Sequence, residues 1–164
     1  AAIYLGKTIG EKKMEHAKAY AVRFIWLSLL LGGLGGLLIL LAAPLARANL
    51  ALTAQAGSYL SFMFFVMSYF TVAQAFNTTM VIGIFRSGGD TKFGMIMDVS
   101  TMWGCSILLG AAAAFIFHAG VPVVYMILMS DELIKIPITI KRYLSYKWLK
   151  DVTREREELE GEAV

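Results

Sequence analysis

The chain has 164 residues, a formal net charge of +3 and a hydrophobic share of 58%, with a mean hydropathy of +0.66 and a pI near 9.0. That share exceeds the roughly 45–50% of a soluble domain, and so short a chain has too little interior to hide the surplus. A soluble globular fold is excluded and lipid is the expected solvent.

The opening Ala1-Ala2-Ile3-Tyr4-Leu5 reads as the end of a helix begun earlier, so a piece of a longer protein is expected. Residues 6–18 read as a polar loop carrying Lys7, Glu11, Lys12, Lys13, Glu15, His16 and Lys18. A first membrane span is expected over about residues 22–46, stopping at Pro44 and Arg47. Its Gly32 and Gly36 have the Gly-x-x-x-Gly spacing that lets two helices approach closely.

The second span, about 57–85, carries Ser61, Ser68, Thr71, Gln74 and Thr78 on one drifting stripe, with Asn77 at its edge. Lipid offers these groups no partners, so the stripe faces protein or water. Hydrogen-bonded helix packing and the lining of a substrate cavity by Thr71, Gln74, Asn77 and Thr78 are both open readings. Arg86-Ser87-Gly88-Gly89-Asp90-Thr91 follows. It lacks the glycine–lysine–serine/threonine ending of a phosphate loop and no strand precedes it, so nucleotide binding is excluded. A tight turn is expected, with Asp90 and Thr91 capping the next helix.

The third span, about 93–117, holds Asp98, with Thr101 and Cys105 on the same face, and ends in the short turn His118-Ala119-Gly120. A lone cysteine provides no disulfide framework. The fourth, about 121–143, holds Asp131, Glu132 and Lys135 near its middle. A charge at the bilayer centre costs at least ~2.5–3.5 kcal/mol, so it persists only where it is paired or faces a polar cavity. Asp131 lies at i,i+4 and Glu132 at i,i+3 from Lys135, within reach of the ammonium. Successive helical residues point about 100° apart, so the two acids are not expected to face Lys135 equally well. Two readings stand: a salt bridge pinning the last helix, or a cluster that binds a proton or cation. Beyond it, residues 151–164 read as a charged tail, expected to be cytoplasmic and disordered.

Lysine and arginine set the orientation. Residues 7–23 hold five of them, 86–92 hold two and 141 onward hold six, while the alternate loops hold only Arg47. Both ends and the Arg86 loop are therefore expected in the cytoplasm. The basic balance marks topology, with anionic lipid as a compatible contact, and no nucleic-acid partner is expected. No histidine stands beside a nucleophile and neither His16 nor His118 has a metal-ligand partner in the pattern, so no enzyme, cofactor or metal is expected.

The order of these pieces resembles one family, the multidrug and toxic compound extrusion (MATE) transporters. The pieces are the Gly6-Lys7-Thr8-Ile9-Gly10 stretch running on to Ala17, Tyr20 and Ala21, the loop Arg86, Gly88, Gly89, Asp90, Thr91, then Asp98 with Trp103. Asp131, Glu132, Lys135, Arg142 and Lys147-Trp148-Leu149 complete it. The resemblance implies twelve helices in two lobes of six, this chain supplying the end of the eighth and the last four over residues 1–150. It also implies secondary export of organic cations or amphipathic compounds across the cell membrane, coupled to protons or sodium. The sodium-coupled branch carries an acid before the arginine loop, where this chain reads Gln74-Ala75-Phe76-Asn77-Thr78. Attention moves to Asp98, Asp131, Glu132 and Lys135 as coupling residues, with the amino-terminal lobe as the missing partner. A lipid-linked or polymer flippase subunit and a non-transporting membrane scaffold are the alternatives. The flippase predicts a more basic cavity and the scaffold predicts no spare acid.

Overall fold

A computed structural model describes residues 1–150. The expectation for the tail, 151–164, lies outside the described residues. Every regular element among the described residues is helical. We label them α1 (Ala2–Gly10), α2 (Met14–Asn49), α3 (Ala54–Phe85), α4 (Thr91–Ile116), α5 (Val121–Leu128) and α6 (Asp131–Leu144). The helices α2, α3 and α4 are each long and apolar enough to cross a membrane.

The expected polar loop over residues 6–18 is mostly helix. Leu5, Thr8 and Ile9 form a buried stripe on α1, packed with Ala17 and Ala21 of α2, so the charges there belong to the solvent side of two amphipathic segments. Only a tight turn separates them, with Lys12 at φ 59°. Nor does the first span stop at Pro44: α2 continues to Asn49 with the proline inside it. A proline lacks one backbone donor, and so near the helix end the loss is local. The helix of the expected second span, α3, starts at Ala54, three residues before the expected Gly57, because the Thr53 hydroxyl accepts the Ala56 amide at 3.3 Å.

The largest departure is in the expected fourth span. Residues 121–143 form two helices, broken at Met129 and Ser130, in place of one continuous rod. Ser106 of α4 donates to the Leu128 carbonyl there at 3.0 Å, and the Ile127 carbonyl accepts both the Ser130 amide at 3.1 Å and the Ser130 hydroxyl at 2.7 Å. The carboxylates of Asp131 and Glu132 fall in the first turn of α6, where the helix dipole favours negative charge by about 0.3–1 kcal/mol each.

At Gly32 and Gly36, α2 and α3 meet backbone to backbone. A Cβ on Gly32 would come within 2.9 Å of the Ala75 Cβ, and one on Gly36 within 2.8 Å of the Ser68 carbonyl. The buried core gathers at one end of the bundle, where Leu5, Ile9, Ala17, Ala21, Phe76, Met80, Ile84, Phe85 and Trp148 pack together. Elsewhere α2 turns Leu30, Leu34, Leu38, Leu41 and Leu45 outward. An apolar exterior around a helical bundle is what a lipid solvent requires.

Candidate functional site

Lys135 is the centre of the site. One turn into α6, its ammonium lies 2.9 Å from Glu132 Oε1, 3.1 Å from Asp131 Oδ2 and 3.4 Å from Asp98 Oδ1 of α4. Both α6 acids reach it, but only Glu132 makes a hydrogen bond to it, Asp131 standing slightly farther off as an ion pair, which is the inequality the 100° offset predicts. The long lysine stem hangs back over the preceding turn and places its head between the i−3 and i−4 positions. Lys135, Asp131 and Glu132 keep only 7%, 13% and 12% of their side-chain surface, whereas Asp98 keeps 47%. Asp98 does not reach back to Lys92 or Arg86 as a helix-end anchor; it joins the cluster. Antiparallel packing of α4 and α6 brings it there.

Asn77 ties the cluster to α3. Its amide donates to the Glu132 carbonyl at 2.6 Å and to Glu132 Oε2 at 2.8 Å, and its own oxygen accepts from the fully buried Thr139 hydroxyl at 3.3 Å. Glu132 therefore receives hydrogen bonds from two helices, Asp98 only the distant ammonium. Three carboxylates around one ammonium leave two negative charges formally in excess.

Beside the cluster lies a recess of about 350 Å³ between α3, α4 and α6, bordered by Gln74, Asn77, Thr78, Asp98 and Met102 together with the cluster on α6. Three of the four expected cavity residues are on its wall. Thr71 is not: its hydroxyl donates to Met67 O at 2.8 Å and its methyl lies against the Gly35 position of α2. Where α3 and α4 pass the recess their winding loosens to π form, over Thr79–Phe85 and Met102–Ile107. Together with the break before Asp131, all three bordering helices leave regular α geometry near the charges. Such interruptions are frequent at functional sites. Pattern reasoning missed the π turns, which have no residue signature. It also missed the helix break, which Ser130-Asp131-Glu132 does signal as a helix start.

The Arg86 loop does separate work. Asp90 caps no amide with its side chain. Its carboxylate is gripped by the Arg142 fork, Nε at 2.7 Å and Nη2 at 2.9 Å, with Lys150 Nζ at 3.3 Å. Burial pushes the Asp90 carboxyl up, but the hydrogen bonds from Arg142 and Lys150 outweigh it and hold the group below its ordinary value. The Arg142 guanidinium also lies 4.5 Å from the Phe93 ring centre. Gly89 sits at φ 82°, and Gly88 is covered so closely by Trp148 that a Cβ would fall 2.0 Å from its carbonyl oxygen. Trp148 is fully buried, stacked on Tyr143 at 5.7 Å, and Lys150 N donates to Gly88 O at 3.1 Å. Arg86 itself is exposed and Thr91 opens α4.

A bundle with an apolar exterior and a charged recess between its helices defines a helical membrane protein with an internal polar site. The MatE family model matches residues 1–112 of the 164, and the chain belongs to that family, the MATE transporters. The helices α5 and α6 lie beyond the matched stretch. No curated protein and no solved structure gives a significant match.

Proposed function

We propose that this chain is the carboxy-terminal lobe of a secondary efflux transporter that exports organic cations or amphipathic compounds from the cell by proton- or sodium-coupled antiport. In this reading α5 and α6 together make the fourth crossing. Both ends and the Arg86 loop face the cytoplasm, and the substrate path runs between this lobe and an amino-terminal partner lobe of the same protein. Interrupted helices meeting at a mid-membrane site, about which lobes rock, are a recurring transporter design.

The observation that carries the reading is the Lys135 cluster opening on a recess. Its two surplus carboxylates attract cations, and a coupling ion or a cationic substrate taken up there would weaken the hold of Lys135 on Asp98. That hold is the charged tie between α4 and α6 at this depth. The same surplus speaks against a flippase for anionic lipid-linked polymers, whose cavity should be basic. The scaffold alternative leaves the spare acids without a purpose.

The test is export of the cationic dye ethidium by the intact protein in proteoliposomes, under an imposed proton gradient or an imposed sodium gradient. Glu132→Gln and Asp98→Asn should abolish gradient-driven export while both proteins still insert. Wild-type export in one gradient alone identifies the coupling ion. Unchanged export in both variants makes the cluster structural and moves coupling to the other lobe.

A further inference from the structure

We propose that the cleft between the start of α4 and the end of α6 is a binding site for one anionic phospholipid of the adjacent leaflet. The cleft has a volume of about 220 Å³ and is lined by Phe93, Ile138, Lys141, Arg142, Ser145 and Lys147. Charge complementarity selects the headgroup. Arg142 and Lys150 already answer Asp90, whereas Lys141 and Lys147 have no carboxylate within ion-pair distance among the described residues and are exposed. Counting Asp90 against Arg142, Lys150, Lys141 and Lys147, the rim keeps three positive charges in excess. A phosphate diester whose headgroup carries no compensating cation supplies the missing anion, and the Ser145 hydroxyl adds a small polar partner at the same rim.

The apolar wall selects a lipid over a soluble anion. Phe93 and Ile138 sit below the lysines, and helical spacing continues each wall into the bundle's outer surface, through Ile96 three residues after Phe93 and Ile134 four residues before Ile138. Ile96, Ile134 and Ile138 are 60%, 38% and 39% exposed. A chain laid on that track hangs from a headgroup held at the rim, which is the geometry of a lipid in its leaflet. A free phosphate would leave the track uncovered.

The experiment is native mass spectrometry of the intact transporter, titrated with phosphatidylglycerol, with phosphatidylcholine, and with inorganic phosphate as competitor. Wild type should retain phosphatidylglycerol in preference to phosphatidylcholine. Basic residues near a membrane surface contribute about a factor of five each, so Lys141→Gln with Lys147→Gln should weaken retention roughly 30-fold. Lys92→Gln, a lysine at the same border outside the cleft, should leave it unchanged. Equal losses in the two sets of variants would mean diffuse attraction to basic charge and overturn the site. Displacement by millimolar phosphate would overturn the lipid assignment. No preference for the anionic lipid would overturn both. These readouts do not depend on export, so they stand apart from the coupling test.

Discussion

Replacing Lys135 by methionine removes the ammonium and keeps the stem, which separates charge from packing. The side chains left behind are three carboxylates, two of them nearly closed off from solvent. Breaking a buried ion pair by deleting one partner costs about 3–5 kcal/mol. Asp98 is nearly half exposed and adds little, because solvent screens it. Asn77 still donates to Glu132, which eases one acid, so the lower half of that range is the expectation. The loss should appear in thermal unfolding of the detergent-solubilised protein followed by fluorescence-detected size exclusion. Adding Asp131→Asn and Glu132→Gln to Lys135→Met should recover most of it, since only the half-exposed Asp98 then keeps an unpaired charge. Full stability in Lys135→Met alone would refute the view that the ammonium holds these helices together.

Three other outcomes follow from particular contacts. Asp90 is held below its ordinary value of 3.8, so its contribution is fully present above that pH and is lost as the pH falls through the depressed folded value. Asp90→Asn should cost about 1.5–3 kcal/mol at pH 7, the worth of hydrogen bonds to charged groups, and its deficit relative to wild type should shrink in unfolding measured near pH 3. Gly88→Ala should push the segment around Trp148 off the loop. In a background where Trp26, Trp103 and any tryptophan outside residues 1–164 are replaced by Phe, acrylamide should then quench Trp148 more strongly than in the glycine parent; equal quenching would mean that the loop yields instead. For topology, cysteine placed at Ala51, between α2 and α3, should react with an impermeant maleimide on whole cells, and cysteine at Ser87 should not. The reverse pattern would overturn the positive-inside assignment.

The parts of the site legible in the sequence were those that helical spacing carries. Asp131, Glu132 and Lys135 lie within one turn, so their meeting is a local matter. Asp98 joined them because a short turn after α4 forces antiparallel packing. The partner of Asp90 was not legible: Arg142 stands 52 residues away, and no local rule links them. The helix break escaped because hydropathy averages over a window. A stretch with Val121-Pro122-Val123-Val124 before it and Ile136-Pro137-Ile138 after it looks continuous, although Ser130 and the two acids mark a start. Residues 6–18 misled for the converse reason, since their charges hid a buried stripe of Leu5, Thr8 and Ile9.

The crowding of the core at the loop end has a mechanical side. Phe76, Met80, Ile84 and Phe85 anchor one end of α3 among the ends of α1, α2 and the Trp148 segment. From Phe76 back to its start at Ala54 α3 extends over about 22 residues, a lever of about 33 Å at 1.5 Å per residue. A rotation of about 10° about that anchorage would carry the far tip about 6 Å, roughly half a helix diameter. The glycine seam ties α2 to α3, so the pair would move together. In such a rotation the loop end would stay nearly still while the opposite end of the bundle moves.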